Sequence, residues 1–328
     1  MHSFPVGLIV CLVVWPHNVA SAQTNEPQSV PPSSSSNAST KPEALLSLHA
    51  TVSEVHLVFT VTDKHGHYVK DLEENAFKIL DDHKPPEAIL SFRSETDLPL
   101  RVGLLIDTSQ SVREHFRFEQ EAAIQFLHQT LRQKQDQAFV IGFDATPKAA
   151  QDFTNDIEKL SAGIHGLQPG TLTAMYDAMH YALNKLMKQP QSGPVRRIII
   201  LLSDGVDNSS SITRAKAIEM ANQAEVSVYT ISTSMTRSGG RGQKTLASIA
   251  DATGGRSYVP VQLAGVTNAF AAIQEELRSQ YVIAYKPAAF ELNGHYRTIE
   301  IQAQKRKDLR VRSRKGYRSV RRDYASNQ

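Results

Sequence analysis

Cysteine and tryptophan are nearly absent from the 328 residues: each occurs once, as Cys11 and Trp15. Both fall in the first sixteen positions, so a chain processed after them has no disulfide and no thiolate chemistry. Long apolar runs are also missing. The one from Val6 to Trp15 is too short to span a bilayer, and no other stretch is long enough. Charge is close to balanced, with a formal excess of +3, which gives no case for a nucleic-acid partner. Gly-x-Ser-x-Gly does not occur, which leaves a nucleophile-elbow hydrolase without support. The glycine cluster Ser238-Gly239-Gly240-Arg241-Gly242 lacks the Gly-Lys-Ser/Thr ending of a phosphate loop. The twelve histidines are scattered, and His65 and His67 sit on a turn without zinc-ligand spacing.

The N-terminus reads as an export signal. The apolar run is followed by Ala20-Ser21-Ala22, a small-residue cleavage pattern, and then by Gln23. No Lys or Arg precedes the run, and Val10 replaces the small residue that a lipobox has before its cysteine. Residues 1–22 are therefore expected to be a signal peptide, and the protein to be periplasmic, secreted or at the cell surface. Residues 23–47 are rich in Ser, Pro, Asn and Thr and lack the apolar residues that offset ordering entropy, as in a disordered linker.

A length of 328 residues implies about two domains. Residues 48–97 carry short β-type runs: alternation through Val52, Val55, Leu57, Phe59 and Val61, then Phe77 to Leu80 and Ile89 to Phe92. From 98 to 280 the pattern changes to alternating strands and helices. Continuous apolar strands run over Val102–Ile106, Ala138–Phe143, Ile198–Leu202 and Val226–Ile231. Helices are expected over Glu114–Gln133, Thr173–Met187, Ala215–Ala224, Lys244–Ala252 and Val266–Leu277. This is the signature of an α/β fold, a doubly wound, mostly parallel sheet with helices on both faces. Residues 281–320 return to β spacing at Tyr281–Tyr285, Tyr296–Gln302 and Leu309–Ser313. Neither flank is large enough to stand alone. Together they supply about seven strands, enough for one β-sandwich into which the α/β domain is inserted. The alternative is two separate β units. Residues 321–328 form a tail.

The chemistry concentrates at the end of the first α/β strand, in Asp107-Thr108-Ser109-Gln110-Ser111. Open α/β sheets bind ligands at the carboxyl ends of their strands. One carboxylate and two hydroxyls there are hard oxygen ligands of low total charge, suited to Mg²⁺ or Mn²⁺. Alone, the loop is equally a turn capped by serine. Two further segments belong to the same edge: Gly170-Thr171-Leu172-Thr173-Ala174-Met175-Tyr176-Asp177, which opens a helix, and Leu201-Leu202-Ser203-Asp204-Gly205, which ends a buried strand.

These three segments resemble the metal-ion-dependent adhesion site of von Willebrand factor A (VWFA) domains, and the likeness covers roughly Pro99 to Gln280. Gln280 to Tyr285, Tyr296 to Ile301 and Lys315 to Arg318 are in turn similar to exported VWFA-related proteins of acidobacteria. The resemblance implies a Rossmann-like domain whose cation is held by Ser109, Ser111 and Thr173, with Asp107 and Asp204 bound directly or through water. Where the family has Gly-Thr before its Tyr-Asp run, Thr171 and Thr173 compete for one role. Thr173 keeps the family's spacing to Tyr176-Asp177. Asp177 reads as structural and Asp207-Asn208 as a turn.

The implied function is non-enzymatic: a Mg²⁺ or Mn²⁺ ion whose open position takes a carboxylate from a protein partner, in adhesion or envelope-complex assembly. Two other readings stand beside it, a metal-dependent hydrolase acting on phosphate or ester groups and a structural envelope protein with a vestigial site. The segment Lys305 to Arg322, whose only acidic residue is Asp308, reads as a solvated strand face and tail, or as a weak contact with an anionic cell surface.

Overall fold

A computed structural model describes residues 54–94, 98–190, 195–234, 239–304 and 306–319. The expected signal peptide, linker and C-terminal tail lie outside these residues. In chain order the elements are β1 (Val55–Thr62), β2 (Phe77–Asp81), β3 (Ala88–Ser94), β4 (Leu100–Asp107), α1 (Phe116–Thr130), β5 (Gln137–Phe143), β6 (Pro147–Thr154) and α2 (Ile157–His165). There follow α3 (Met175–Lys188), β7 (Arg196–Ser203), α4 (Arg214–Gln223), β8 (Val226–Ser232), α5 (Arg241–Thr253), β9 (Ser257–Tyr258), α6 (Ala264–Leu277), β10 (Gln280–Lys286), β11 (Tyr296–Ala303), β12 (Arg310–Ser313) and β13 (Gly316–Arg318). No helix among the described residues is long and apolar enough to cross a membrane.

Six strands form the central sheet in the order β6-β5-β4-β7-β8-β9, parallel except for β6. The inner strands are buried on both faces, which is why β4 and β7 read as unbroken apolar runs. Leu104, Ile106, Ile200 and Leu202 face one core with α1, α2 and α6. Leu105, Ile199 and Leu201 face a second core with α3, α4 and α5. Strand β4 has β5 on one side and β7 on the other, so the winding reverses at β4 and opens a crevice beyond its carboxyl end. Asp107 is the last residue of that strand.

Two elements of the α/β domain escaped the sequence pattern. Strand β6 is an antiparallel edge strand of half-exposed polar and small residues, so no alternation marks it. Helix α2 is short, and its signal was local: Asp156 caps it by accepting the amides of Glu158 and Lys159, ahead of buried Leu160 and Ile164.

The flanks form one sandwich, as expected. Strand β1 from the N-terminal side pairs with β10 and β12 from the C-terminal side, giving the sheet β12-β1-β10-β3. The facing sheet is β13-β11-β2. Leu57, Phe59, Ile79, Tyr281, Ile283 and Ile299 share the core between them. Inside it Asp81, fully buried, takes Arg297 at 2.6 Å and the hydroxyls of Tyr285 and Tyr317 at 2.7 and 2.8 Å. The basic C-terminal segment contributes to the seam with the α/β core. Arg312 pairs with buried Glu276, Arg314 donates to the carbonyls of Asn222 and His56, and Arg318 lies 3.2 Å from Glu219.

Candidate metal centre

Asp107 is fully buried at the switch point. Its Oδ1 accepts the Ser109 amide at 2.8 Å and its Oδ2 accepts the Ser203 hydroxyl at 2.7 Å. Ser203 in turn accepts the Gly205 amide at 3.1 Å, so one hydroxyl ties the ends of β4 and β7 together. Thr108 turns away, its hydroxyl donating to the Phe143 carbonyl at 3.0 Å.

The two serines are not spent on capping. Ser109 stands at the N-cap of a 3₁₀ turn, Gln110–Val112, yet makes no side-chain cap bond. Its Oγ lies 3.0 Å from the Oγ of Ser111 instead. Helix α1 begins after His115, which also provides no side-chain cap. Neither the 3₁₀ turn nor α1 is thus capped by the side chain of its own N-cap residue.

The other two segments are drawn onto the same edge. The Gly170 amide donates to the Thr108 carbonyl at 2.5 Å and the Ala174 amide to the Asp144 carbonyl at 2.7 Å. Gly170 is needed for that approach, because a Cβ there would stand 2.4 Å from the Asp144 side chain. Thr173 is buried. Its amide donates to Asn208 Oδ1 at 2.9 Å, and its carbonyl accepts the amides of Asn208 and Ser209. Its hydroxyl has no hydrogen-bond partner among the described residues, whereas Thr171 is exposed. Asp204 is half-buried, and its Oδ1 accepts the Val206 amide at 2.9 Å. No side-chain bond joins Thr173 to the other four; the backbone of its loop brings it to the edge.

Asp107, Ser109, Ser111, Thr173 and Asp204 thus lie on three neighbouring loops at one sheet edge. Around them stand residues that hold the loops in place. Asp207 accepts the Tyr176 amide and the Ser210 hydroxyl, the latter at 2.6 Å, and so caps α3 from another segment. Asp177 accepts the amides of Ser211 and Ile212, a structural task as expected. Asn208 does more than make a turn, since it pins Thr173.

Glu119, on the first turn of α1, is fully buried and neither carboxyl oxygen has a partner. It follows Phe116 by three residues and precedes Ala123 by four, so helical spacing alone places it on the buried face. Burial, then the charge of Asp107, pushes its pKa up to about 8. Burial also raises Asp107 to about 6, against the bonds from Ser203 and Ser109, and the Asp204 carboxylate adds to the rise. The neighbouring Asp107 and Asp204 carboxylates, beside the hydroxyls of Ser109 and Ser111, fit a divalent cation of the hard, oxygen-seeking class.

Residues 102–207 match the profile of the von Willebrand factor type A domain, and the chain carries a domain of that family. The match includes all five candidate ligands. Among solved structures, the PilB minor pilin from Streptococcus sanguinis aligns at 16% identity over 60% of this chain and 63% of its own, with a TM-score of 0.45. The vWF domain of the type V pili tip protein Mfa5 from Porphyromonas gingivalis aligns at 15% identity, 54% of this chain, 94% of its own and TM-score 0.43. Proximal thread matrix protein 1 from the mussel byssus, with a zinc-occupied MIDAS motif, aligns at 13% identity, 60% of this chain, 50% of its own and TM-score 0.47. The chain thus spans under two thirds of the pilin and half of the mussel protein. No curated protein matches it.

Proposed function

We propose that this protein is an exported, non-enzymatic binding module that presents a divalent cation, Mg²⁺ or Mn²⁺, to a carboxylate of a partner protein. The observation that carries the reading is the Asp107 loop. A strand-end carboxylate is held in place beside the hydroxyls of Ser109 and Ser111, which bond to each other and do not cap the turn. Ser109, Ser111 and Thr173 would hold the ion, with Asp107 and Asp204 bound directly or through water. An ion with few direct carboxylates stays electrophilic, so an Asp or Glu from outside completes its coordination through a charge-assisted contact. Among the described residues no group of three or more His, Cys, Asp or Glu is placed to hold a metal ion, so the hydroxyls of Ser109, Ser111 and Thr173 would have to supply much of the coordination.

The test is calorimetric titration of the full chain with Mg²⁺ and Mn²⁺, paired with affinity capture from envelope extract in Mg²⁺ or EDTA. Wild type should bind the ion and retain a partner only when the ion is present, and Asp107→Ala and Asp204→Ala should lose both. Failure to bind either ion would favour a vestigial site. Metal-dependent turnover in a phosphatase and esterase screen, lost in Asp204→Ala, would favour an enzyme.

A further inference from the structure

The rim of the site on its Asp204 side is basic and its cations are unspent. Helix α5 reaches that side by a backbone contact. A Cβ on Gly242 would lie 2.1 Å from the Asp204 carbonyl, and one on Gly205, at φ +81°, would lie 2.2 Å from the Gly242 carbonyl. Arg241, the residue before Gly242, therefore starts its helix beside the Asp204 loop. Helix α4 packs against α5 and begins with Arg214. Both guanidinium groups act on one phenol: Tyr176, raised by burial and then by Asp207, is drawn back by Arg214 and by Arg241. Lys244 follows Arg241 by three residues on the same helix.

All three cations are exposed, and none forms an ion pair among the described residues. The nearby acids are already engaged, Asp207 by Ser210 and Tyr176, Asp177 by the amides of Ser211 and Ile212. Val206, 49% exposed, and Leu172, 44% exposed, add apolar surface on the two loops that carry Asp204 and Thr173. The loops touch through Thr173 and Asn208.

We infer that the partner delivers its metal-binding carboxylate from an acidic segment, whose further Asp or Glu side chains lie over Arg214, Arg241 and Lys244. The inference rests on the cation-bridged reading above and adds the partner's chemistry to it. A lone carboxylate satisfies the ion and leaves the basic rim in water. An acidic run satisfies both, and rim charges of this kind govern encounter rate and choice of partner more than total affinity.

The experiment compares two fluorescein-labelled peptides of equal length by anisotropy in Mg²⁺ at low salt. One carries a single Glu in a Gly/Ser background, and the other carries that Glu followed by three more. Wild type should prefer the acidic run by roughly two- to tenfold, the range for two or three exposed ion pairs, and the preference should shrink as salt rises. Arg214→Gln/Arg241→Gln should erase the preference while leaving the melting temperature, Mg²⁺ affinity and single-Glu binding unchanged. Equal affinity for both peptides, a preference that survives the double variant, or no binding of either would overturn the inference. So would tight, EDTA-insensitive binding of dextran sulfate lost in the same variant, which would reassign the rim to an anionic polysaccharide. Asp107→Ala separates the two readings. If that variant binds both peptides as wild type does, the cation bridge fails whatever the rim does.

Discussion

The Ser203 hydroxyl and the Asp107 carboxylate stand 2.7 Å apart, joining the carboxyl ends of β7 and β4 where the winding of the sheet reverses. Each of the two residues also holds the start of its own loop, Asp107 through the Ser109 amide and Ser203 through the Gly205 amide. Two of the three loops of the site are therefore fixed by one buried contact.

Ser203→Ala removes that contact without adding bulk. It leaves a buried carboxylate oxygen and the Gly205 amide short of a partner, which costs about 1–3 kcal/mol. The expected result is that much loss in urea unfolding in EDTA. Mg²⁺ affinity should fall about 10- to 100-fold, as when a group that orients a ligand is lost. Calorimetry and unfolding both unchanged would show that the contact positions nothing.

Glu119 gives the fold a pH dependence opposite in sign to that of a salt-bridged carboxylate. Its folded pKa of about 8 lies above the ordinary 4.5, so the folded state holds a proton that the unfolded chain releases. Stability without metal should therefore decline as pH rises from about 4.5 to about 8 and then level off. Glu119→Gln keeps the shape and removes the proton. At pH 7 it should be more stable than wild type by roughly 3 kcal/mol, at about 1.36 kcal/mol per pH unit, and nearly equal at pH 4.5. Urea midpoints measured across that range in EDTA check this, and a gap independent of pH would remove Glu119 as its source.

The sequence made legible what burial and periodicity write strongly. Strands buried on both faces announced themselves at Val102–Ile106 and Ile198–Leu202, and with them the sheet edge where Asp107 and Asp204 stand. The sandwich was legible only as a deficit, two flanks each too small for a core. What stayed hidden depended on neighbours distant in sequence. Strand β6 owes its existence to pairing with β5, not to an alternation of its own. The hydroxyl of Ser203 looks like any turn serine until Asp107, 96 positions away, faces it. Arg312 and Arg314 read as part of a charge run, because nothing local reveals that Glu276 and the Asn222 carbonyl receive them.

That seam sets up the last prediction. Glu276, fully buried near the end of α6, accepts the hydroxyls of Tyr229 at 2.7 Å and Tyr68 at 3.0 Å and pairs with Arg312 of the sandwich. Arg312 also donates to the carbonyls of Gly254 and Gly255. Arg312→Met strips the cation from a buried carboxylate and should cost about 3–5 kcal/mol, whereas Glu276→Gln/Arg312→Met removes both charges and should recover most of that loss. The seam lies at the edge of the sheet opposite the candidate site, since Arg196 at the start of β7 donates to the Leu277 carbonyl at the end of α6. Mg²⁺ titration of the variants should therefore match wild type while their urea midpoints differ. A metal affinity that moved together with the midpoint would mean that the sandwich and the site are coupled through α6.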